Sequence, residues 1–164
     1  MIGDKVMEYE IVKIDGFRVF GETKTMTVEE SLTGITTFWT EVNNNGAIDK
    51  IHELKSGESP VTHGRLIGVF RVTEEDERII KYTIGAEYIQ GSSIYSLQIE
   101  EIPPATWMVF HCQGPIPQAL SKAYEKIFTD IIPKTDYQIS HKIFLEVYNI
   151  ADGTKDSYHF EIWI

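Results

Sequence analysis

The chain offers few residues whose type and spacing could do chemistry, and one of them stands out. In the run Lys142–Tyr148 strand alternation puts Ile143, Leu145 and Val147 on one face and Phe144, Glu146 and Tyr148 on the other. A carboxylate set between two aromatic rings is costly to bury alone. If buried it calls for a cation, and ring faces attract cations further. Alternation equally allows that face to be solvated, with Glu146 an ordinary strand residue. Glu161 shares a face with His159 and Trp163, at a pocket, at its rim or on plain surface. Glu87, beside Gly85 and Tyr88, has similar standing. Aromatic walls are available from Trp39, Trp107 and Phe110. The last two lie on one strand three residues apart and so point to opposite faces. Tyr82, Tyr88 and Tyr124 are further wall candidates whose hydroxyls, once buried, need a partner such as Glu146.

Other site chemistries find little footing. His52, His63, His111, His141 and His159 show no HxxxH or HxH spacing, so no metal site is expected. His111 and Cys112 are adjacent in a strand and point opposite ways, which rules out a dyad there. Cys112 reads as a small core residue. Neither a phosphate-binding glycine loop nor a serine elbow occurs. No catalytic residue and no cofactor is implied.

The elements that must position these residues follow from periodicity. Tyr9–Glu22 reads as a strand broken at Asp15-Gly16. Thr27-Val28-Glu29-Glu30 is a capping box, and Val28, Leu32, Ile35, Trp39 and Val42 form a helical stripe after it. Asn43–Gly46 ends that helix, and Ala47–Leu54 suits a short second one. Arg65–Thr73 and Arg78–Gln90 make a hairpin around the acidic turn Glu74–Glu77. The second half repeats the plan. Tyr95–Gln113 is strand-like with a break at Pro103-Pro104. A helix follows with its stripe on Ile116, Leu120, Ala123, Ile127 and Ile131, widened by Tyr124 and Phe128 and stopped by Pro133. Lys142–Ile150 and Ser157–Ile164 form a hairpin around Ala151–Thr154.

The halves also echo each other: Ile11–Ile14 resembles Ile99–Ile102, and Gly68-Val69-Phe70 resembles Glu146-Val147-Tyr148. Gly68 is thus the counterpart of Glu146, and a strand glycine often marks where another group comes close. The expected fold is α+β, one domain over residues 1–164. It comprises two pseudo-symmetric strand–helix–strand–strand modules (about 7–92 and 93–164), an antiparallel sheet, and two long helices flanking a ligand groove.

Bulk properties narrow the partners. With 15 Lys and Arg against 25 Asp and Glu, the net charge is −10, which argues against direct nucleic-acid binding. Acidity serves solubility or favours cationic ligands. A single cysteine, no apolar run in Met1–Glu8 and no membrane-length segment point to a cytoplasmic protein without a membrane partner.

Several segments together resemble the GyrI-like, AraC-type effector-binding family. They are Tyr9–Val12, Ile35 with Phe38-Trp39, Gly68–Phe70, Tyr82–Ala86, Val109–Gly114, Leu145–Tyr148 and Phe160–Ile164. The resemblance implies a ligand groove between the central helices, in which a glutamate and aromatics grip flat cations. The candidate ligand-binding set is Glu146, Trp39, Tyr148, Phe144, Gly68, Tyr88, Trp107, Phe110, Glu161 and Trp163. The resemblance also implies a free-standing effector-binding protein, acting in transcription regulation or ligand sequestration. The chain leaves no stretch for a helix-turn-helix, so regulation would need a protein partner. Two alternatives stay open: a small-molecule hydrolase using the pocket Glu and a Tyr, and an inhibitor that binds a DNA enzyme such as gyrase.

Overall fold

The computed structural model describes residues 7–89, 97–140 and 142–164. The 92/93 module boundary, the start of the Tyr95 run, Gln90 and His141 lie outside them. The order is β1 (Glu8–Ile14), β2 (Phe17–Thr27), α1 (Val28–Asn44), α2 (Ala47–Leu54), β3 (Leu66–Val72) and β4 (Ile79–Glu87). It continues with β5 (Gln98–Ile102), β6 (Ala105–Gln113), α3 (Gln118–Lys126), β7 (Ile143–Tyr148) and β8 (His159–Trp163). A π turn (Ile127–Ile131) and a 3₁₀ turn (Ile132–Lys134) prolong α3. This is the expected α+β plan.

All eight strands join one antiparallel sheet in the order β1-β6-β8-β7-β3-β4-β2-β5. The inner six are two copies of one three-strand unit, β6-β8-β7 and β2-β4-β3, related by a pseudo-twofold between β7 and β3. The outermost strands are exchanged: β1 of the first module edges the second, and β5 of the second edges the first. The strand pairings place Ile11 and Ile99 at equivalent positions, and likewise Ile14 and Ile102, which is the echo seen in the sequence.

This order forces the sheet to curl. Laid flat, β1 and β2 would stand six strand spacings apart, about 29 Å. Only Asp15 and Gly16 join them, a reach of about 11 Å. The two broken strands therefore run as one bent ribbon. Ile14 faces Ala105 and Phe17 faces Ile102, so the register carries through the breaks. Gly16 lies against Pro103-Pro104 at the bend, where an added Cβ would stand 3.0 Å from the Ile102 carbonyl oxygen.

Inside the curl Val69, Leu145, Val147, Trp107 and Trp163 form an apolar core drawn from both modules. The outer face is covered by helices, α1 and α2 over the first module and α3 over the second. The capping box forms as expected. Thr27 Oγ1 accepts from the Glu30 N–H and Glu30 Oε2 from the Thr27 N–H, both at 3.0 Å. The α1 stripe needs correction. Its packed face is Ile35, Phe38, Trp39 and Val42. Leu32 is 83% exposed and Val28 44%, because the apolar spacing extends further toward the N-terminus than the surface available to cover it.

Candidate functional site

Three glutamates are buried among the described residues, and their partners differ in kind. Glu87 accepts from the backbone N–H of Val61 (3.0 Å) and Thr62 (2.8 Å) and from the Thr62 hydroxyl (3.0 Å), fixing the loop before β3. Glu100 is held by Arg71 and by Lys81 at 3.5 Å. Glu146, 4% exposed, meets neither a cation nor a backbone amide among the described residues. Its partners are phenols. Tyr82 and Tyr148 donate to Oε1 at 2.7 and 2.8 Å, and Tyr124 donates to Oε2 at 2.6 Å. The Trp39 indole N–H donates to the Tyr82 oxygen at 3.0 Å, extending the chain of hydrogen bonds to α1.

Each element contributes for a local reason. Alternation on β7 turns Phe144, Glu146 and Tyr148 to the helical side, opposite Leu145 and Val147 in the curl. Tyr82 comes from β4, one strand beyond β3, and must cross β3 to reach Glu146. Gly68 pairs directly with Glu146 and lets it cross: a Cβ there would lie 2.2 Å from the Tyr82 oxygen and 2.9 Å from Glu146 Oε1. The helices close the site from both sides, Trp39 from α1 and Tyr124 from α3. Further rings wall it. Trp39 meets Tyr148 edge-on (centroids 5.2 Å), Phe70 stacks on Phe144 (6.1 Å), and Phe128 meets Phe144 edge-on (5.6 Å). Burial first, and the Glu146 charge second, push the hydroxyls of Tyr82, Tyr124 and Tyr148 well above the usual tyrosine range. At neutral pH all three therefore keep their protons and act as donors.

The structure thus brings together Glu146, Gly68, Trp39, Tyr148 and Phe144, with Tyr82 and Tyr124. It separates the rest. Trp107, Trp163 and Glu161 lie on the opposite face of the sheet. There the two indoles pack at 6.0 Å, and Glu161 is paired with Arg65 and accepts from the Trp163 indole N–H at 3.1 Å. Phe110 shares the helical face but packs against Tyr9 and the α3 core. Tyr88 belongs to a separate cluster with Phe20. For Trp107, Trp163 and Glu161 the reason is direction: side chains alternate residue by residue along a strand, so one register step decides the face, whereas Phe110 and Tyr88 are set apart by their packing partners. Phe70 was missed, although it lies two residues from Gly68 and hence on the same face. Phe128 was seen only as helix packing.

Among the described residues no group of His, Cys, Asp and Glu could hold a metal ion, and no helix is long and apolar enough to cross a membrane. Cys112 is 6% exposed, and burial pushes its thiol up to about 12. An apolar cleft beside Ile11, Met108 and Ile139 lies away from Glu146, and at about 70 Å³ it is too small for a drug-sized ligand.

A duplicated antiparallel sheet with helices over its outer face is the architecture expected of an effector-binding domain, and comparison with known proteins agrees on the fold and the family. Residues 10–164 match the family described as integron-associated effector binding protein (Cass2), and the chain belongs to it. The GyrI-like resemblance read from the sequence stands with it. Among solved structures, SAV2435 bound to tetraphenylphosphonium is similar over 96% of this chain and 92% of that one (TM-score 0.84, 21% identity). The Vibrio cholerae integron cassette protein from the mobile metagenome is similar over 95% and 94% (TM-score 0.66, 16% identity). EcmrR, solved in a complex with DNA, is similar over 96% of this chain, which spans 56% of that protein (TM-score 0.57, 15% identity). No curated protein matches.

Proposed function

We propose that the chain binds lipophilic or amphipathic cations of drug-like size, with Glu146 as the charge anchor and Trp39, Tyr148, Phe144, Phe70 and Phe128 as the wall. One observation carries this reading: Glu146 is a buried carboxylate whose only partners among the described residues are phenols. The other buried glutamates have a structural use; this one has negative charge to spare and aromatic faces around it. Burial of ligand rings supplies affinity, and the carboxylate selects for charge. The tetraphenylphosphonium held by SAV2435 is a ligand of this chemistry. Binding of this kind suits either sequestration or control of transcription, and the likeness to EcmrR supports the second through a DNA-binding partner.

The test is titration with tetraphenylphosphonium and with neutral triphenylphosphine oxide, followed by tryptophan fluorescence. Glu146→Gln should weaken the cation at least tenfold and the neutral compound less than threefold. Equal losses for both, or none for either, would overturn the reading.

A further inference from the structure

The hydrogen bonds around Glu146 are distributed unevenly between its two oxygens. A carboxylate offers about four acceptor positions, two on each oxygen. Among the described residues Oε1 has both filled, by Tyr82 and Tyr148, while Oε2 has one filled, by Tyr124. One acceptor position remains, and it is on Oε2. The filling of Oε1 depends on Gly68. Tyr82 is fully buried and held from the far side by the Trp39 indole and by an edge contact with Phe38. It therefore has no other route to the carboxylate than across β3. Any side chain at position 68 would meet its oxygen at 2.2 Å and its Cζ at 3.0 Å, and evict the hydroxyl from Oε1.

We infer that Gly68, acting through Tyr82, is a specificity-determining residue: it makes Glu146 a single-point anchor. The site then accepts cations that present charge without a paired donor array, such as phosphonium, quaternary ammonium and tertiary ammonium. It discriminates against amidinium and guanidinium groups. Those bind a carboxylate best through two parallel N–H donors, one to each oxygen, and Oε1 has no acceptor left to receive the second. Left with one hydrogen bond, such a group brings an unsatisfied donor against aromatic walls, which costs affinity. Gly68 and Tyr82 are positioning residues in this scheme, since they set what Glu146 can accept.

The inference rests on the cation-binding reading of Glu146, and its test separates the two. Two probes share a biphenyl skeleton: 4-phenylbenzamidinium and trimethyl(4-phenylbenzyl)ammonium. Calorimetric titration of the wild-type chain should favour the trimethylammonium probe at least tenfold. Tyr82→Phe removes the hydroxyl while keeping the ring, and should shift the ratio toward the amidinium at least fivefold. Gly68→Ala should shift it the same way. The double variant should change it little beyond Tyr82→Phe alone, because both changes act through the same hydroxyl. A wild-type chain that binds both probes equally would overturn the inference. So would a Tyr82→Phe ratio equal to wild type, which stays decisive if Gly68→Ala fails to fold. If neither probe depends on Glu146, as read by Glu146→Gln, the underlying cation-binding reading fails instead.

Discussion

Across the twofold axis between β3 and β7, Gly68 of the first module answers Glu146 of the second. The strand pairings carry the correspondence outward: Gly85 answers Trp163, and Gly21 answers Val109. At all three places the first module has glycine and the second has bulk. The glycines are pinched as well as small. A Cβ on Gly85 would lie 1.9 Å from the Phe20 carbonyl oxygen, and one on Gly21 would lie 2.0 Å from that of Ile84. In the second module Trp163 and Val109 help fill the inner core. Duplication supplied two equivalent frames, and the sequence then used one for room and the other for side chains. A site on the axis has a reason to be unequal. A second carboxylate at position 68 would face Glu146 directly across paired strands. Two like charges at that spacing cannot both ionise without a large penalty. One acid, one glycine and a tyrosine crossing the gap avoid it. Phe160, the counterpart of Tyr82, needs no hydroxyl because no glycine opens a path beside it.

The sharpest way to break this comparison is Gly85→Ala. The obstructing atom is backbone, which cannot swing aside, so the change should cost about 3 kcal/mol or more in a denaturant titration. A midpoint close to wild type would show that the pinch does not govern the first module. Alkaline titration should have a smaller effect, centred on the axis itself. The three tyrosines have folded values raised above the usual one near 10. Their contribution to stability is complete below about pH 10 and is lost as pH rises through the raised folded values, because the unfolded chain releases these protons first. Tyr148→Phe should make this alkaline loss shallower, and tyrosinate absorbance of the folded chain should lag behind that of the unfolded one. Leu32→Ser on α1 should do least. The side chain is 83% exposed, so the change should stay within about 0.5 kcal/mol, whereas Phe38→Ala two turns on, at 4% exposure, should cost about 3–5 kcal/mol.

Much of the frame was legible in the sequence. The hairpins around Glu74–Glu77 and Ala151–Thr154, the capping box at Thr27 and both long helices stand where periodicity put them. These are local features, fixed by residues a few positions apart. Glu146 with Tyr148 and Phe144 was legible for the same reason, since three alternate residues of one strand must share a face. Trp107, Trp163 and Glu161 were drawn toward the site by type alone, and type says nothing about which side of the sheet a residue faces; Tyr88 lies on the helical side but packs with Phe20 in another cluster. Leu32 misled for the complementary reason: its spacing fits a packed stripe, but among the described residues nothing covers it.

By itself, then, the sequence determined the duplicated order of elements, the internal echo and the shared strand face of Phe144, Glu146 and Tyr148. Each of these is written in short-range spacing or in likeness between halves. Tertiary structure alone decided the exchange of β1 and β5, the curl closed through Asp15-Gly16 and Pro103-Pro104, and the meeting of Tyr82, Tyr124 and Trp39 at Glu146. Those depend on which strand lies beside which. Contacts between elements distant in sequence, such as Tyr82 with Glu146 at a separation of 64 residues, are set by the free energy of the whole sheet, and no local pattern records them. The use of Gly68 shows both at once. Its place in a strand was plain in the sequence, but the tyrosine hydroxyl that occupies its missing side chain arrives from another strand.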